Sequence, residues 1–490
     1  MSTGDQLLAR VCEAPDDVDA RRVYADWLLD RGDARGTFIA QHCELEAMGG
    51  LEPNYPELLA STRRLEAQHP PRWMDEFFAR EGATPREAPR IALDEQQNAV
   101  FRHGFLHRIA LPPEALAREW EWLRAREPIQ GVELLVGESL PAAYHALRQP
   151  QAFRTLKVSP SGWFFVNSVG AVLRWGLSKL RELDLSKCDL GPTGCRLLAN
   201  LDTDLATSFD DWTPPPPLRD GQLERLVLHG TQIGDEGARL LFTATPLRDL
   251  VELDVSQCRI AEGSTLAALR ASPLHQLRRL SLAGNVALGG HFDALAGWPV
   301  LERLEALSLP QTCTPDDLGA LFPAPSKHLR ALDLSSAKAL VKHRGPLFAT
   351  AEALTHLDLG TTSLGDDGFV EVLASEPVHS VVELRANGCS LSDQAVAALV
   401  DSDLHRLVTL DLSSNKLTDA ALQALAQWEG LAQITHLRLA NNRKLGLPGY
   451  RALVASPHLQ PVALDVGKPS DPAIAPLLRE RFGRAVRARD

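Results

Sequence analysis

Residues 407–425 read LVTLDLSSNKLTDAALQAL, and the spacing of the apolar residues in this stretch decides the fold. Leu407, Leu410, Leu412 and Leu417 come first, with Asn415 between the last two. Leu410 and Leu412 are two apart, which sends both to one face of a β-strand and leaves Thr409, Asp411 and Ser413 on the other. The period then changes. Thr418-Asp419 is a helix start signal, and Ala421, Leu422 and Leu425 follow at helical spacing. A short strand, a turn and a helix are written in under about thirty residues.

Working outward, the leading strand leucine recurs at Leu156, Leu183, Leu226, Leu253, Leu280, Leu307, Leu332, Leu357, Leu384, Leu410 and Leu437, mostly 25–27 residues apart. Upstream, Ile109 in FLHRIAL and Val132 in IQGVELL continue the period in degenerate form, and Val462-Ala463-Leu464 is the last strand downstream. The pattern resembles leucine-rich repeats of the ribonuclease-inhibitor-like kind over about residues 105–466, with steps a little shorter than that family's usual repeat. The resemblance implies an α/β solenoid or horseshoe, with a parallel sheet on the concave side and helices on the convex side. A buried Leu contributes about 1.5–3 kcal/mol, so several per repeat are needed to offset the ordering of some 26 residues, and no single repeat stands alone. The ninth motif position holds Asn285, Asn415, Asn442, Cys188, Cys258, Cys389, Thr231, Thr312 or Thr362. Small hydrogen-bonding side chains there are expected to satisfy backbone groups where the strand turns, so the cysteines among them read as structural.

For 490 residues the formal net charge is −12, which sets the surface against phosphate backbones and anionic membranes. The first twenty residues show no secretory signal, and no uncharged apolar run approaches the roughly 20 residues of a membrane span. Seven cysteines are few for this length and fit reduced thiols in a cytoplasmic protein.

Ahead of the repeats, residues 5–48 predict three helices, with Pro15-Asp16-Asp17 starting the second and Arg31-Gly32-Asp33 breaking it. LLARVCEAPDDVDARRVYADWLLDRGDARGTFIAQHCEL resembles the small repeat-companion domain that precedes leucine-rich repeats in some bacterial proteins. The resemblance implies association with repeat proteins and supplies no activity to carry over. Covering the open end of the solenoid and serving as a separate docking module both remain open. Further helices are expected at 55–69 and 72–80, with a joint at Gly82–Arg90. The reading divides the chain into 1–50 (companion helices), 51–104 (helical linker or cap), 105–466 (solenoid) and 467–490 (capping helix and basic tail with Arg481, Arg484, Arg487 and Arg489). One step, Leu183 to Leu226, is 43 residues and holds an insertion at 202–217, DTDLATSFDDWTPPPP. Its prolines cannot join a ladder, so it reads as a solvated surface loop or, alternatively, as a partner-binding projection anchored by Phe209 and Trp212.

No nucleotide-binding, nucleophile-elbow, zincin or C-x-x-C motif is present, and no catalytic, metal or cofactor residue is assigned. Asp26 and His42 are weak candidates; Asp26 is four residues from Arg22, a spacing that allows a helix-surface pair, and His42-Cys43 reads as packing. His356 and His436 share the concave face three repeats apart, about 14 Å at strand spacing, too far for one metal ion. The concave face itself is more informative. Between the strand leucines, consecutive repeats carry Asp358, Arg385, Asp411 and Arg438. The residue before the second motif leucine is Glu182, Arg225, Glu252 and Arg279 in four repeats, and Glu383 and His436 occupy the same position further on. Opposite charges therefore alternate along the sheet, either as a self-neutralising ladder or as a recognition stripe with pre-positioned guanidinium groups. Asp333 beside Asp358 breaks the alternation. The expected function is a non-enzymatic scaffold that binds a protein partner on the concave face, without nucleic acid or membrane. A regulator of a partner enzyme such as a hydrolase or GTPase is the alternative, and an enzyme with a site in the N-terminal helices the third reading.

Overall fold

Each of the first three helices begins where a carboxylate or hydroxyl can take up free backbone N–H groups. In the computed structural model, α1 (Thr3–Glu13) is capped by Ser2 and Asp5 in a reciprocal box, α2 (Val18–Leu29) by Asp17 and α3 (Ala34–Ala47) by Asp33. The structure describes residues 2–68, 99–102, 105–111, 113–136, 153–160, 179–200, 221–338 and 350–488. The expected helix 72–80, the joint at 82–90 and the insertion with Phe209 and Trp212 lie outside the described residues, as does Arg489.

The chain divides into two compact units, Met1–Gly49 with Leu65–Ile260 and Ala271–Leu277, and Gly50–Arg64 with Ala261–Arg270 and Arg278–Asp490. In the first, β1 (Ala99–Arg102) pairs antiparallel with β2 (Phe105–Leu111), and parallel strands follow in chain order: β3 (Gly131–Val136), β4 (Thr155–Pro160), β5 (Glu182–Asp184), β6 (Arg225–Val227) and β7 (Glu252–Asp254). Ile109, Val132, Leu156, Leu183, Leu226 and Leu253 are Cα partners strand to strand. The N-terminal helices belong to this unit. Val11, Ala20, Tyr24, Ala25, Leu28, Ile39 and Cys43 form one apolar cluster with Phe105 of β2. Arg35 beside it donates two bonds, 2.6 and 2.8 Å, to Glu127, whose Oε2 also accepts from Leu106 N at 3.0 Å. The helices thus cover the apolar start of the first parallel strand.

In the second unit β8 (Arg279–Ser281), β9 (Ala306–Ser308), β10 (Ala331–Asp333), β11 (His356–Asp358), β12 (Glu383–Arg385), β13 (Thr409–Asp411), β14 (His436–Arg438) and β15 (Ala463–Gly467) run parallel with the leucines 280, 307, 332, 357, 384, 410, 437 and 464 in register. Helices on the other side bury Ala395, Val396 and Leu399, then Ala421, Leu422 and Leu425, against the sheet. Neighbouring repeats are also tied by polar ladders. Asn415 Nδ2 donates to the carbonyls of Ala386 and Leu412, while its Oδ1 accepts from Leu391 N; Asn442 repeats the pattern one step on. The Cys389 thiol donates to Leu359 O at 2.9 Å, as in the first unit Cys258 does to Leu228 O at 3.0 Å, the role expected of that position. On the helix side, Asp393 accepts from both the backbone N–H and the hydroxyl of Thr418, as Asp366 does from Ser392.

Two features depart from the expected pattern. Between Asn285 and β9 the chain makes three 3-10 turns instead of an α-helix. Gly289 packs so tightly that a Cβ there would lie 2.2 Å from the Thr312 carbonyl oxygen, and Gly290 and Gly297 adopt positive φ. At the C-terminus the helix Ile474–Phe482 is followed by β16 (Val486–Ala488), parallel to β15, where a solvated basic tail was expected. Val486 is buried and supplies the apolar anchor that the surrounding arginines obscure.

Candidate binding surface

Because successive strands are in register, residues one repeat apart stand side by side on the open face of the sheet. In the second unit the row between the strand leucines is Asp333, Asp358, Arg385, Asp411, Arg438 and Asp465, each a Cα partner of the next. Arg385 lies 3.7 Å from Asp358 and 2.7 Å from Glu383, and Arg438 lies 3.7 Å from Asp411. Each aspartate divides its oxygens between two tasks. Asp358 Oδ1 accepts from Gly360 N at 2.8 Å and Asp411 Oδ1 from Ser413 N at 2.9 Å, while Oδ2 faces the arginine of the next strand. The aspartate therefore closes its own turn, which is why this residue type recurs there, and the alternating charges come from the oxygen left over.

The preceding row is His356, Glu383, Thr409 and His436. His436 and Asp411 are buried, while the Arg385 side chain is 46% exposed. Burial alone would raise the Glu383 carboxyl, but Arg385, then His356 and Arg63, outweigh it and hold it below its ordinary value. His356 and His436 stand on β11 and β14, each with Nδ1 2.9 Å from the hydroxyl of the threonine before it. Among the described residues no group of three or more histidines, cysteines or carboxylates is placed to hold a metal ion.

In the first unit Arg225 is brought between Glu252, at 2.7 Å, and Glu182, at 3.7 Å. Arg279 stands on β8 in the second unit, exposed and opposite Ala306. Of the weak N-terminal candidates, His42 packs edge-on against Phe38, 4.6 Å between ring centres, and Cys43 is in the apolar cluster. Arg22, expected beside Asp26, lies 3.9 Å from Asp19, one turn earlier.

Sequence spacing gave no sign of one participant. Helix α4 (Tyr55–Gln68) has its first part, to Arg64, in the second unit, where Ala60 is fully buried with Val382 and Val408 at the starts of β12 and β13. Tyr55 and Leu59 pack on the same cluster. Arg63 donates to Thr409 Oγ1 at 2.9 Å and reaches Thr435 Oγ1 at 3.4 Å, so Thr409, expected on the open face, is buried. Arg406 donates to the carbonyls of Gly50 and Glu52, and Arg64 to that of Ala432.

Strand, turn and covering helix repeated in register define a leucine-rich-repeat solenoid. The family described as "Leucine Rich repeat" matches residues 176–199 and 405–426, the second of these carrying β13 and its helix. The chain is similar to the ribonuclease inhibitor of Sus scrofa, 28% identical over 300 residues, 51% of this chain and 61% of that protein. It is also similar to NACHT, LRR and PYD domains-containing protein 5 of Bos taurus, 29% identical over 279 residues, 55% of this chain and 22% of that protein. The chain thus spans less than two thirds of the length of either relative. Among solved structures it is similar to the yeast Rad7 and Elc1 complex (TM-score 0.40, 15% identity, 74% of this chain and 76% of that one). An internalin of Listeria monocytogenes is also similar (TM-score 0.32, 21% identity, 55% and 69%). Proteins built of this repeat generally mediate protein–protein interactions and are typically non-enzymatic. No helix among the described residues is long and apolar enough to cross a membrane.

Proposed function

We propose that this chain is a non-enzymatic scaffold that grips a protein partner on the open sheet face of the second unit, with Arg385 and Arg438 making the contact, Asp358 and Glu383 orienting Arg385, and the buried Asp411 and His436 supporting the row from behind. Glu182, Arg225 and Glu252 on the first unit, and Arg279 on β8, form the further rows offered to the same class of partner. The observation that supports this most is Arg385. Its guanidinium is oriented by Glu383 and Asp358 yet nearly half exposed, which lowers the cost of meeting a partner carboxylate. A net charge of −12 makes a protein a better partner than nucleic acid or an anionic membrane. Seven free cysteines fit a reducing, cytoplasmic setting, and the N-terminal helices fit a companion domain that covers the end of the repeats.

Similarity to a ribonuclease inhibitor supports a second reading, that the gripped partner is an enzyme whose turnover the chain regulates. Affinity purification from the native cell, with the wild-type chain and with Arg385→Glu/Arg438→Glu, tests the first reading. A partner retained equally by both moves the contact to the helix side or to the 202–217 insertion. Assay of the captured protein with and without the chain tests the second, and unchanged turnover leaves the scaffold alone.

A further inference from the structure

The alternating row of the second unit does not stop at Asp465. The Cα partner of Asp465 on β16 is Arg487, so the row runs Asp358, Arg385, Asp411, Arg438, Asp465, Arg487, one residue to a strand. Arginines therefore stand on alternate strands, β12, β14 and β16, about 9.6 Å from one to the next. The aspartates between them are committed to their own turns. Asp411 Oδ1 accepts from Ser413 N and Asp465 Oδ1 from Gly467 N, both at 2.9 Å. The arginines are less committed. Arg385 is nearly half exposed, Arg438 stands 3.7 Å from Asp411, and the partly exposed Arg487 makes no ion pair with any described residue. Beyond burial, it is Arg63, then Arg487 and Arg438, that lower the His436 pKa, so this end of the row is locally cationic in a chain of net charge −12.

The open row is also narrow. Two residues earlier on the same strands Thr409, His436 and Ala463 are buried, so that side is closed. Two residues later stand Ser413, Ala440 and Gly467, small enough to let a backbone come close. A face one residue wide suits a single extended segment better than a flat protein surface, and the spacing selects its conformation. A β-strand returns a side chain to one face about every 6.6 Å, and an α-helix after two turns, about 10.8 Å. A polyproline II helix does so at every third residue, about 9.3 Å. Over the two steps from Arg385 to Arg487 it falls short by only about 0.6 Å, whereas the α-helix overshoots by about 2.4 Å. We infer that this row binds an acidic polyproline II segment with a carboxylate at every third residue, one each for Arg385, Arg438 and Arg487. The inference rests on the proposed scaffold and names the chemistry of its partner. The two residues between successive carboxylates point away from the arginines, so prolines there are accommodated and keep the segment extended.

The test titrates the full chain, at low salt, with two fluorescent peptides of one composition and charge, EPPEPPE and PEPEPEP, and follows anisotropy. EPPEPPE is expected to bind at least about tenfold more tightly, because only its carboxylates meet the arginines together. Arg487→Gln should weaken EPPEPPE about three- to fivefold, and Arg487→Lys, which keeps the charge, should restore most of that loss. Equal binding of the two peptides, binding of neither, or no effect of Arg487→Gln in a chain with unchanged circular dichroism overturns the inference. Tighter binding of a helical peptide with glutamates seven residues apart overturns it as well. Capture from the native cell separates this failure from failure of the scaffold. A partner lost with Arg385→Glu/Arg438→Glu but retained equally with Arg487→Gln keeps the scaffold and removes the third contact, whereas a partner retained by both variants removes the scaffold and the inference with it.

Discussion

Asp333 and Asp358 face each other as Cα partners on β10 and β11, two carboxylates side by side where the rest of the row alternates in charge. Neither is free to swing away. Asp333 Oδ1 accepts from Ser335 N at 2.9 Å and Asp358 Oδ1 from Gly360 N at 2.8 Å, so each is fixed by the turn it closes. Burial, then Asp333, raises the Asp358 carboxyl to about 6 in spite of Arg385 on its other side. This end of the row holds a proton more readily than an ordinary carboxylate and suits a cationic group from a partner.

Asp333→Asn keeps an acceptor for the Ser335 N–H and removes the neighbouring charge, so Asp358 should titrate closer to the ordinary range, read by carboxyl NMR. The raised value has a consequence for stability. Between about pH 4 and pH 6 the folded chain keeps a proton that the unfolded chain has released, so stability falls as pH rises through that window. The variant should show a shallower fall in urea titrations. An unchanged midpoint near 6 would assign the whole shift to burial.

The Arg35–Glu127 pair sets how firmly the first three helices are held. Glu127 is buried, and Glu127→Gln leaves the Arg35 guanidinium without its counter-charge, a loss of about 3–5 kcal/mol for a pair of this kind. Urea unfolding followed by far-UV circular dichroism should show that loss. Limited proteolysis should then cut between α3 and α4 before the repeats. A variant as resistant as the wild type would show that Phe105 and the apolar cluster hold the helices unaided.

Much of this was legible from spacing alone. A period of 25–27 residues puts leucines in register, and the residues between them then become neighbours without further information, so Asp358, Arg385, Asp411 and Arg438 could be placed beside one another from their numbers. The rest depended on contacts that no local pattern carries. Arg63 meets Thr409 across 346 residues, and nothing in YPELLASTRRLEAQ marks which repeat it will meet. β16 has only Val486 as an apolar anchor among arginines, too short for an alternation to show. The missing helix after Asn285 was signalled by its glycines, but a glycine pair marks a break without saying what replaces the helix.

The thiols at the repeat turns should be chemically quiet. Burial pushes Cys188 up to about 12, Cys389 and Cys258 are raised by the same cause, and outside the repeats the half-buried Cys12 of α1 is also pushed up to about 12. At pH 8 almost none is thiolate, so a disulfide reagent should react slowly with the native chain and with all seven cysteines only after denaturation. Fast modification of Cys258 or Cys389 in the native chain would mean that the turn they hold opens readily, contrary to their bonds to Leu228 and Leu359.

Acid should act on the second unit through His436. The ring is buried, with Nδ1 2.9 Å from Thr435 Oγ1. Burial, then Arg63, Arg487 and Arg438, lowers its pKa to about 3. Between about pH 3 and 6.5 the folded chain therefore carries a neutral imidazole where the unfolded chain takes a proton. The stability this represents is fully present above 6.5 and is lost as pH falls toward 3, on the order of a few kcal/mol for a group so enclosed. His436→Gln has no such proton to take up. Comparing urea midpoints at pH 7.5 and pH 4.5, the wild type should lose more than the variant, and the difference isolates the histidine from carboxylates that titrate in both. Arg63→Ala should raise the His436 pKa only part of the way, because burial and two other arginines remain. A complete return to 6.5 in that variant would make the α4 arginine the main cause and burial the minor one, and equal acid losses in wild type and His436→Gln would remove the histidine from the account.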